Sequence, residues 1–318
     1  MIYLIIAVLL WALMIGYFKI ADRFNIIDKP NQRSSHSEIT IRGGGIVFPF
    51  AMILYALFFH EIAVALLAAF LLISLISFWD EISSLSNKIR LLVHLLSTTG
   101  LLLSIDAFNL LPGWSLPLVY ILIIGIINSY NFMDGINGIT GAYSLVILGS
   151  FWFLNEYRIH FTNSSFILCA IIACLVFLFF NFRKKARCFA GDIGSVSIGF
   201  WIITLLLMIT IRSNELKYLF FLAVYGVDTI CTILQRVILK QNIFEAHRLH
   251  FYQILANEKK MPHLYVATLY AVLQLLINAV VIFTNFNFAI TAAILCIPLV
   301  LGYIVIKSLL MAHSSLTS

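Results

Sequence analysis

Charge is scarce in this sequence: Asp, Glu, Lys and Arg make up 11% of it, against roughly 25% in soluble domains. With 62% of residues hydrophobic and a mean hydropathy of +1.03, a water-soluble globular domain is excluded. Cysteine is too sparse and too scattered to build a scaffold. The five thiols, Cys169, Cys174, Cys188, Cys231 and Cys296, show no CxxC spacing, and four of them lie in apolar runs. That excludes a zinc ribbon or a disulfide framework and leaves them as packing residues. No basic region precedes the first apolar stretch, Met1 to Phe18, whose charges come after it at Lys19, Asp22 and Arg23. This pattern reads as a retained helix and not as a cleaved signal peptide.

What the sequence does have is apolar runs from end to end, many long enough to cross about 30 Å of hydrocarbon. Cutting them at charge clusters and at Gly, Pro and Asn predicts spans near 1–20, 43–59, 62–79, 90–105, 116–131, 139–155, 164–182, 193–211, 217–235, 264–284 and 287–306. The expected fold is therefore an all-α polytopic membrane protein of about 11 transmembrane helices, one domain over residues 1–318. Alternating the connections leaves Arg158, Arg212 and Lys217 on one face and the other seventeen of the 20 basic residues opposite. By the positive-inside rule the basic face is cytoplasmic, the N-terminus outside and the C-terminus inside. The net charge of +6 belongs to this asymmetry, so no nucleic acid is needed to explain it.

The acids sort the same way. Asp28, Asp80, Glu81, Asp134, Asp192 and Glu245 share the cytoplasmic face, so chemistry is expected there. Five polar clusters stand out. In DKPNQRSSHSEITIRGGG, Arg33, His36 and Arg42 precede Gly43, Gly44 and Gly45; arginines and exposed backbone suit phosphate oxygens, and a basic solvated loop is the plainer reading. Asp80 and Glu81 end the third span, where paired acids serve a divalent cation, act as a base, or simply close a solvated helix. In NSYNFMDGINGITG, Asn128, Asn131 and Asp134 recur every third residue before Gly135 and Gly138 break the helix; three polar groups on one face at membrane depth need ligands or a neighbouring polar seam.

The fourth cluster, RKKARCFAGDIGSVSIGF, brings Asp192 between Gly191 and Gly194, beside Ser195, at a helix mouth. That arrangement suits a magnesium ion carrying a phosphate, with a helix-capping aspartate as the alternative. In the fifth, EAHRLHFYQ, His247, Arg248 and His250 stand together without a third zinc ligand at a recognisable spacing; phosphate contact or an ordinary surface loop are the readings left. Asp228, inside the ninth span, is either buried and paired or part of the site.

Together these clusters resemble the polyprenyl-phosphate N-acetylhexosamine-1-phosphate transferases, glycosyltransferase family 4. NSYNFMDGING looks like the family's NxxNxxDGxxG, and AGDIGSVSIGF like its GDxGSxxxG. DKPNQRSSH with RGGG, and HRLHFYQ, look more like the branch that initiates O-antigen and lipopolysaccharide synthesis than the peptidoglycan branch. Two departures stand out: Glu81 where the family carries a second aspartate, and Ile39 and Ile41 where it has prolines.

The resemblance implies a transferase of a bacterial inner membrane, with a UDP-sugar donor, undecaprenyl phosphate as acceptor, UMP as leaving group and magnesium or manganese as cofactor; it leaves room for a homodimer. It implies catalytic roles for Asp80, Glu81, Asp134, Asp192 and His247, and substrate contacts from Arg33, His36, Arg42, Gly44, Asn128, Asn131, Arg248 and His250. Asp192 and Asn131 are the expected metal residues. The competing expectation is a secondary transporter, which also uses broken helices and intramembrane acids such as Asp228.

Overall fold

The computed structural model describes residues 1–28, 39–242 and 248–315, with side chains described to residue 310. Eleven helices of 13 residues or more occur among the described residues, at the places where the apolar runs predict them. They are α1 (Ile2–Arg23), α2 (Val47–Phe59), α3 (Val64–Ile82), α4 (Asn87–Ser104), α5 (Leu116–Met133), α6 (Ile139–Tyr157), α7 (Ser164–Asn181), α8 (Gly191–Ser213), α9 (Ala223–Ile238), α10 (His263–Phe283) and α11 (Phe288–Ser315). Eight of the helices are long and apolar enough to cross a membrane. The chain is thus an all-helical, polytopic membrane protein; hydrocarbon offers backbone groups no partner, and a helix satisfies them internally.

Local chemistry sets several helix starts. The Ser86 hydroxyl accepts the Ile89 N–H at 3.4 Å to begin α4, Asn163 accepts the Ser165 N–H at 2.7 Å to begin α7, and Pro117 sits in the first turn of α5, where its missing N–H costs nothing.

The centre of the bundle is α8, apolar all round, as a helix enclosed by others must be. Its most apolar stretch is 89% buried, against 17% for α11, which faces outward. On one side α3 lays Phe70 edge-on to Trp201, centroids 5.4 Å apart, and Ser74 shares a 2.7 Å hydrogen bond with Ser197. On another side α5 brings Tyr130 against Gly199.

Polar side chains cross-link the remaining helices. Tyr143 of α6 donates to Gln274 of α10 at 2.6 Å, Asn278 of α10 donates to Ser150 of α6 at 2.9 Å, and Ser129 of α5 bonds Thr229 of α9 at 2.7 Å. Such bonds contribute roughly 0.6 kcal/mol each between membrane helices. The Tyr143 and Tyr225 rings stack at 3.6 Å.

Because successive helices reverse direction, the C-terminal ends of α3, α5 and α7 meet the N-terminal ends of α4, α6, α8 and α10 at one end of the bundle. A small antiparallel pair, β1 (Ile27–Asp28) with β2 (Thr40–Ile41), lies there too and sets Ile27 opposite Ile41. Ile41 in turn bridges to Cys188 in the loop before α8. This strand contact carries Asp28 and Arg42 to the same end.

Candidate active site

The gathered helix ends enclose a cavity of about 520 Å³. Five carboxylates line it, Asp28, Asp80, Glu81, Asp134 and Asp192, with two guanidinium groups, Arg42 and Arg90. Asn131, Asn137, Asn181 and Gln253 add neutral polar groups.

Each acid is held differently. Asp80, in the last turn of α3, accepts the Leu85 N–H at 2.6 Å and pairs with Arg90 of α4 at 3.3 Å. Glu81, the next residue, has a side chain only 3% exposed; Arg42 Nε stands 4.0 Å from its Oε1, and neither carboxylate oxygen makes a hydrogen bond. The Glu81 carboxylate lies directly on Gly191, whose φ of +70° belongs to the left-handed region; a Cβ there would meet Oε1 at 2.1 Å. The glycine is therefore required twice, by its conformation and by its neighbour.

Asp192 stands in the first turn of α8, where the partial positive charge of the helix end favours an anion. Asn131 links it to α5: the Ser195 hydroxyl donates to Asn131 Oδ1 at 3.2 Å, which turns the amide toward the Asp192 carboxylate. Asp134, just beyond the end of α5, accepts the Thr140 hydroxyl at 2.6 Å. Burial pushes its carboxyl up to about 7, opposed by the Thr140 bond and reinforced by the negative charge of Asp192.

Two asparagines build the floor. Asn181, ending α7, donates to Cys188 O at 2.8 Å and accepts the Gly138 N–H at 2.7 Å, and Asn137 donates to Arg183 O at 2.8 Å. The DGING turn and the loop before α8 are thereby tied together, which fixes Asp134 relative to Asp192.

The cavity thus gathers Asp80, Glu81, Asp134, Asp192, Arg42 and Asn131 from four separate sequence clusters. Asn128 lies one turn deeper, against Asp80, Asp192 and Asn131 in a small adjoining void, with its amide donating to Ile124 O at 2.8 Å.

Gly44 departs from its expected anion contact. Its N–H is spent on Phe189 O at 2.8 Å and the Gly45 N–H on Ala190 O at 2.9 Å, so these glycines serve close packing of α2 against the loop before α8. His250 departs too: it is 2% exposed, and its Nδ1 faces Asp228 at 3.4 Å, away from the cavity. Arg248 is half-buried and does not line the cavity. Arg33, His36 and His247 lie outside the described residues.

Arg90, Asn137, Asn181 and Gln253 are cavity residues that the sequence analysis did not single out, although Asn137 lies within NSYNFMDGING and Gln253 closes HRLHFYQ. Asn181 carried a faint signal, a lone amide closing an apolar run; Arg90 carried none, since a solvated helix end looks the same.

The donors are oxygen and amide groups with one histidine, His263, and among the described residues no three acidic, histidine or cysteine side chains close on one point. That set suits a hard cation that takes one or two carboxylates and fills its remaining positions from substrate and water. A buried carboxylate such as Glu81, whose nearest cation is Arg42 at 4.0 Å, is further stabilised by added positive charge.

Fold and site define a class: a polytopic helical membrane protein with an acidic, arginine-flanked cavity where its helix ends converge. Within it, residues 63–210 match the family described as glycosyl transferase family 4. It is similar, at 27% identity over 74% of this chain and 70% of the relative, to a probable undecaprenyl-phosphate N-acetylglucosaminyl 1-phosphate transferase of Bacillus subtilis. It is also similar to a phospho-N-acetylmuramoyl-pentapeptide-transferase of Thermotoga neapolitana (29% identity, 71% of this chain, 79% of the relative). A third relative, an undecaprenyl-phosphate alpha-N-acetylglucosaminyl 1-phosphate transferase of Escherichia coli K12, is 23% identical over 79% of this chain and 75% of its own length.

Proposed function

We propose that this protein transfers a sugar 1-phosphate, that of an N-acetylhexosamine, from a UDP-sugar to undecaprenyl phosphate, forming undecaprenyl-diphosphate-sugar and UMP. The observation that carries the reading is the cavity at the helix ends, lined by five carboxylates and two arginines. A soluble nucleotide and a lipid headgroup can meet there. Relatives named for this chemistry supply the substrate class; a transporter would instead concentrate its polar groups near the midplane.

A cavity this acidic repels a diphosphate unless cations intervene. Asp192 and Asn131 are the residues that would hold magnesium or manganese, with Glu81 beside them against Gly191. Bound there, the ion supplies charge neutralisation of the donor diphosphate. Arg42 and Arg90 hold phosphate oxygens. Asp80, itself fixed by Leu85 and Arg90, orients the acceptor phosphate or takes its last proton. Asp134 and Asn128 orient the donor.

An acceptor phosphate oxygen attacks the donor's β-phosphorus, a new P–O bond forms, the bond between the two phosphates breaks, and UMP leaves with that electron pair. A phosphate monoester loses its second proton near pH 6, so positioning and electrostatics dominate over base catalysis.

Orientation belongs to the same reading. If all eleven helices cross, the cavity shares its side with the basic loops, which makes it cytoplasmic, with the N-terminus outside and the C-terminus inside. The membrane is then the bacterial inner membrane. The HRLHFYQ segment favours the O-antigen-initiating branch.

The test is UMP release by purified protein supplied with undecaprenyl phosphate, magnesium and a panel of UDP-sugars. A UDP-N-acetylhexosamine is expected to give UMP; UDP as product, or no turnover with any donor, would overturn the proposal. Direct attack further predicts no exchange of labelled UMP into the donor when lipid is absent.

A further inference from the structure

A buried carboxylate and a buried ammonium, from two helices with no described residue in the cavity lining, hold backbone groups within one four-residue segment, residues 249–252. Asp228 of α9 is 2% exposed. It accepts the Phe251 N–H at 2.8 Å, the Tyr252 N–H at 3.3 Å and the Tyr270 hydroxyl at 2.7 Å, with the Thr232 hydroxyl at 3.3 Å and His250 Nδ1 at 3.4 Å. Lys307 of α11 is 4% exposed. It donates to Leu249 O at 2.6 Å and to the Tyr303 hydroxyl, which shares a 2.8 Å hydrogen bond with Thr232. The carboxylate thus takes the N–H groups that open the short helical turn Phe251–Gln253, and the ammonium takes the carbonyl just before it.

The plain alternative for a lysine near the end of a membrane helix is snorkelling, with the ammonium reaching outward to the interface. Lys307 does the opposite, on the helix that is otherwise the most outward-facing. Two buried charges are costly unless fully hydrogen-bonded, and here their bonds converge on one segment.

That segment forms part of the cavity wall. The Tyr252 hydroxyl donates to Phe132 O at 2.9 Å and lies where a Cβ on Gly135 would be 2.2 Å away, so it abuts the turn that carries Asp134. Gln253 follows and lines the cavity.

We propose that Asp228 and Lys307 are positioning residues: a buried clamp between α9 and α11 that sets Tyr252 and Gln253 against the Asp134 turn and so shapes the donor side of the cavity. Its consequence for turnover rests on the transferase reading; the clamp itself does not.

The experiment compares purified Lys307→Met, Lys307→Arg, Asp228→Asn and Asp228→Glu with the parent, by hydrogen–deuterium exchange over residues 248–258 and by KM for the UDP-sugar. Lys307→Met and Asp228→Asn are expected to raise exchange in that segment about tenfold, with α8 unchanged, and to raise KM about fivefold. A loss of folded fraction alone would lower kcat and leave KM where it was. Lys307→Arg and Asp228→Glu, which keep the charge and the bonding capacity, are expected to recover most of both losses.

Unchanged exchange and KM in Lys307→Met, or an arginine variant as impaired as the methionine one, would overturn the clamp. Should Asp228→Asn fail to fold, Lys307→Met decides, because it leaves every bond of Asp228 in place. If the parent releases no UMP, the transferase reading falls and the exchange measurement alone settles the clamp.

Discussion

Gly45 and Gly194 meet backbone to backbone: a Cβ built on Gly45 would stand 2.0 Å from the Gly194 Cα. The turn that leads into α2 can lie on the first turn of α8 only because both positions lack side chains. Gly45→Ala is expected to push the two apart, with a loss of stability of about 1–3 kcal/mol, typical of overpacking, and with loss of activity through displaced Asp192. Thermal melting in detergent checks it. Gly149→Ala, where a Cβ meets nothing within 4 Å, should melt like the parent.

Asp192 stands at the start of the most buried helix, yet its carboxylate faces the cavity. Asp192→Asn keeps the shape and removes the charge. Turnover is expected to fall at least about a hundredfold while melting is unchanged. Near-parental, magnesium-dependent UMP release would contradict the assignment.

Glu81 fills the space over Gly191 with a carboxylate that makes no hydrogen bond. If its charge is what the site uses, Glu81→Asp should retain turnover within about tenfold and Glu81→Gln should lose about a hundredfold. Initial rates over a magnesium titration distinguish the two, and retained turnover in Glu81→Gln with a loss in Glu81→Asp would mean that side-chain length matters and charge does not.

The Asp134 carboxyl, raised by burial from 3.8 to about 7, links stability to pH. The folded protein holds a proton that the unfolded chain releases, so its contribution is complete below about pH 4 and is lost as pH rises through about 7. In chelator-containing buffer the protein should melt higher at pH 6 than at pH 8, and Asp134→Asn should shrink that difference. An unchanged or reversed difference in the variant would remove Asp134 from the account.

Orientation is testable on the loops. Ser84 borders the cavity and is exposed, and Glu215 lies at the opposite ends of α8 and α9. In a cysteine-free background, Glu215→Cys should react with an impermeant thiol reagent in intact cells, and Ser84→Cys only after lysis. The reverse pattern would invert the map.

The helices were legible because hydrocarbon demands long apolar runs, and those runs and their polar interruptions are visible one residue at a time. The acids of the site were legible for a related reason: Asp80, Glu81, Asp134 and Asp192 interrupt or border apolar sequence, where a charge is too costly to be idle. Gly44 misled for want of a partner's position, since a glycine that admits an anion and a glycine that admits another backbone have the same sequence.

The sequence alone therefore determined the all-helical membrane architecture, the places of its helices and the acids gathered at one end. Which faces meet was decided by the tertiary structure. Lipid is as apolar as a protein core, so hydrophobicity along a membrane helix does not say which side touches a neighbour. That is why the contact of Gly45 with Gly194, the seat of Glu81 on Gly191, and the shared grip of Asp228 and Lys307 on residues 249–252 exist only in three dimensions. Each joins residues far apart in the chain through a close approach that no periodicity records.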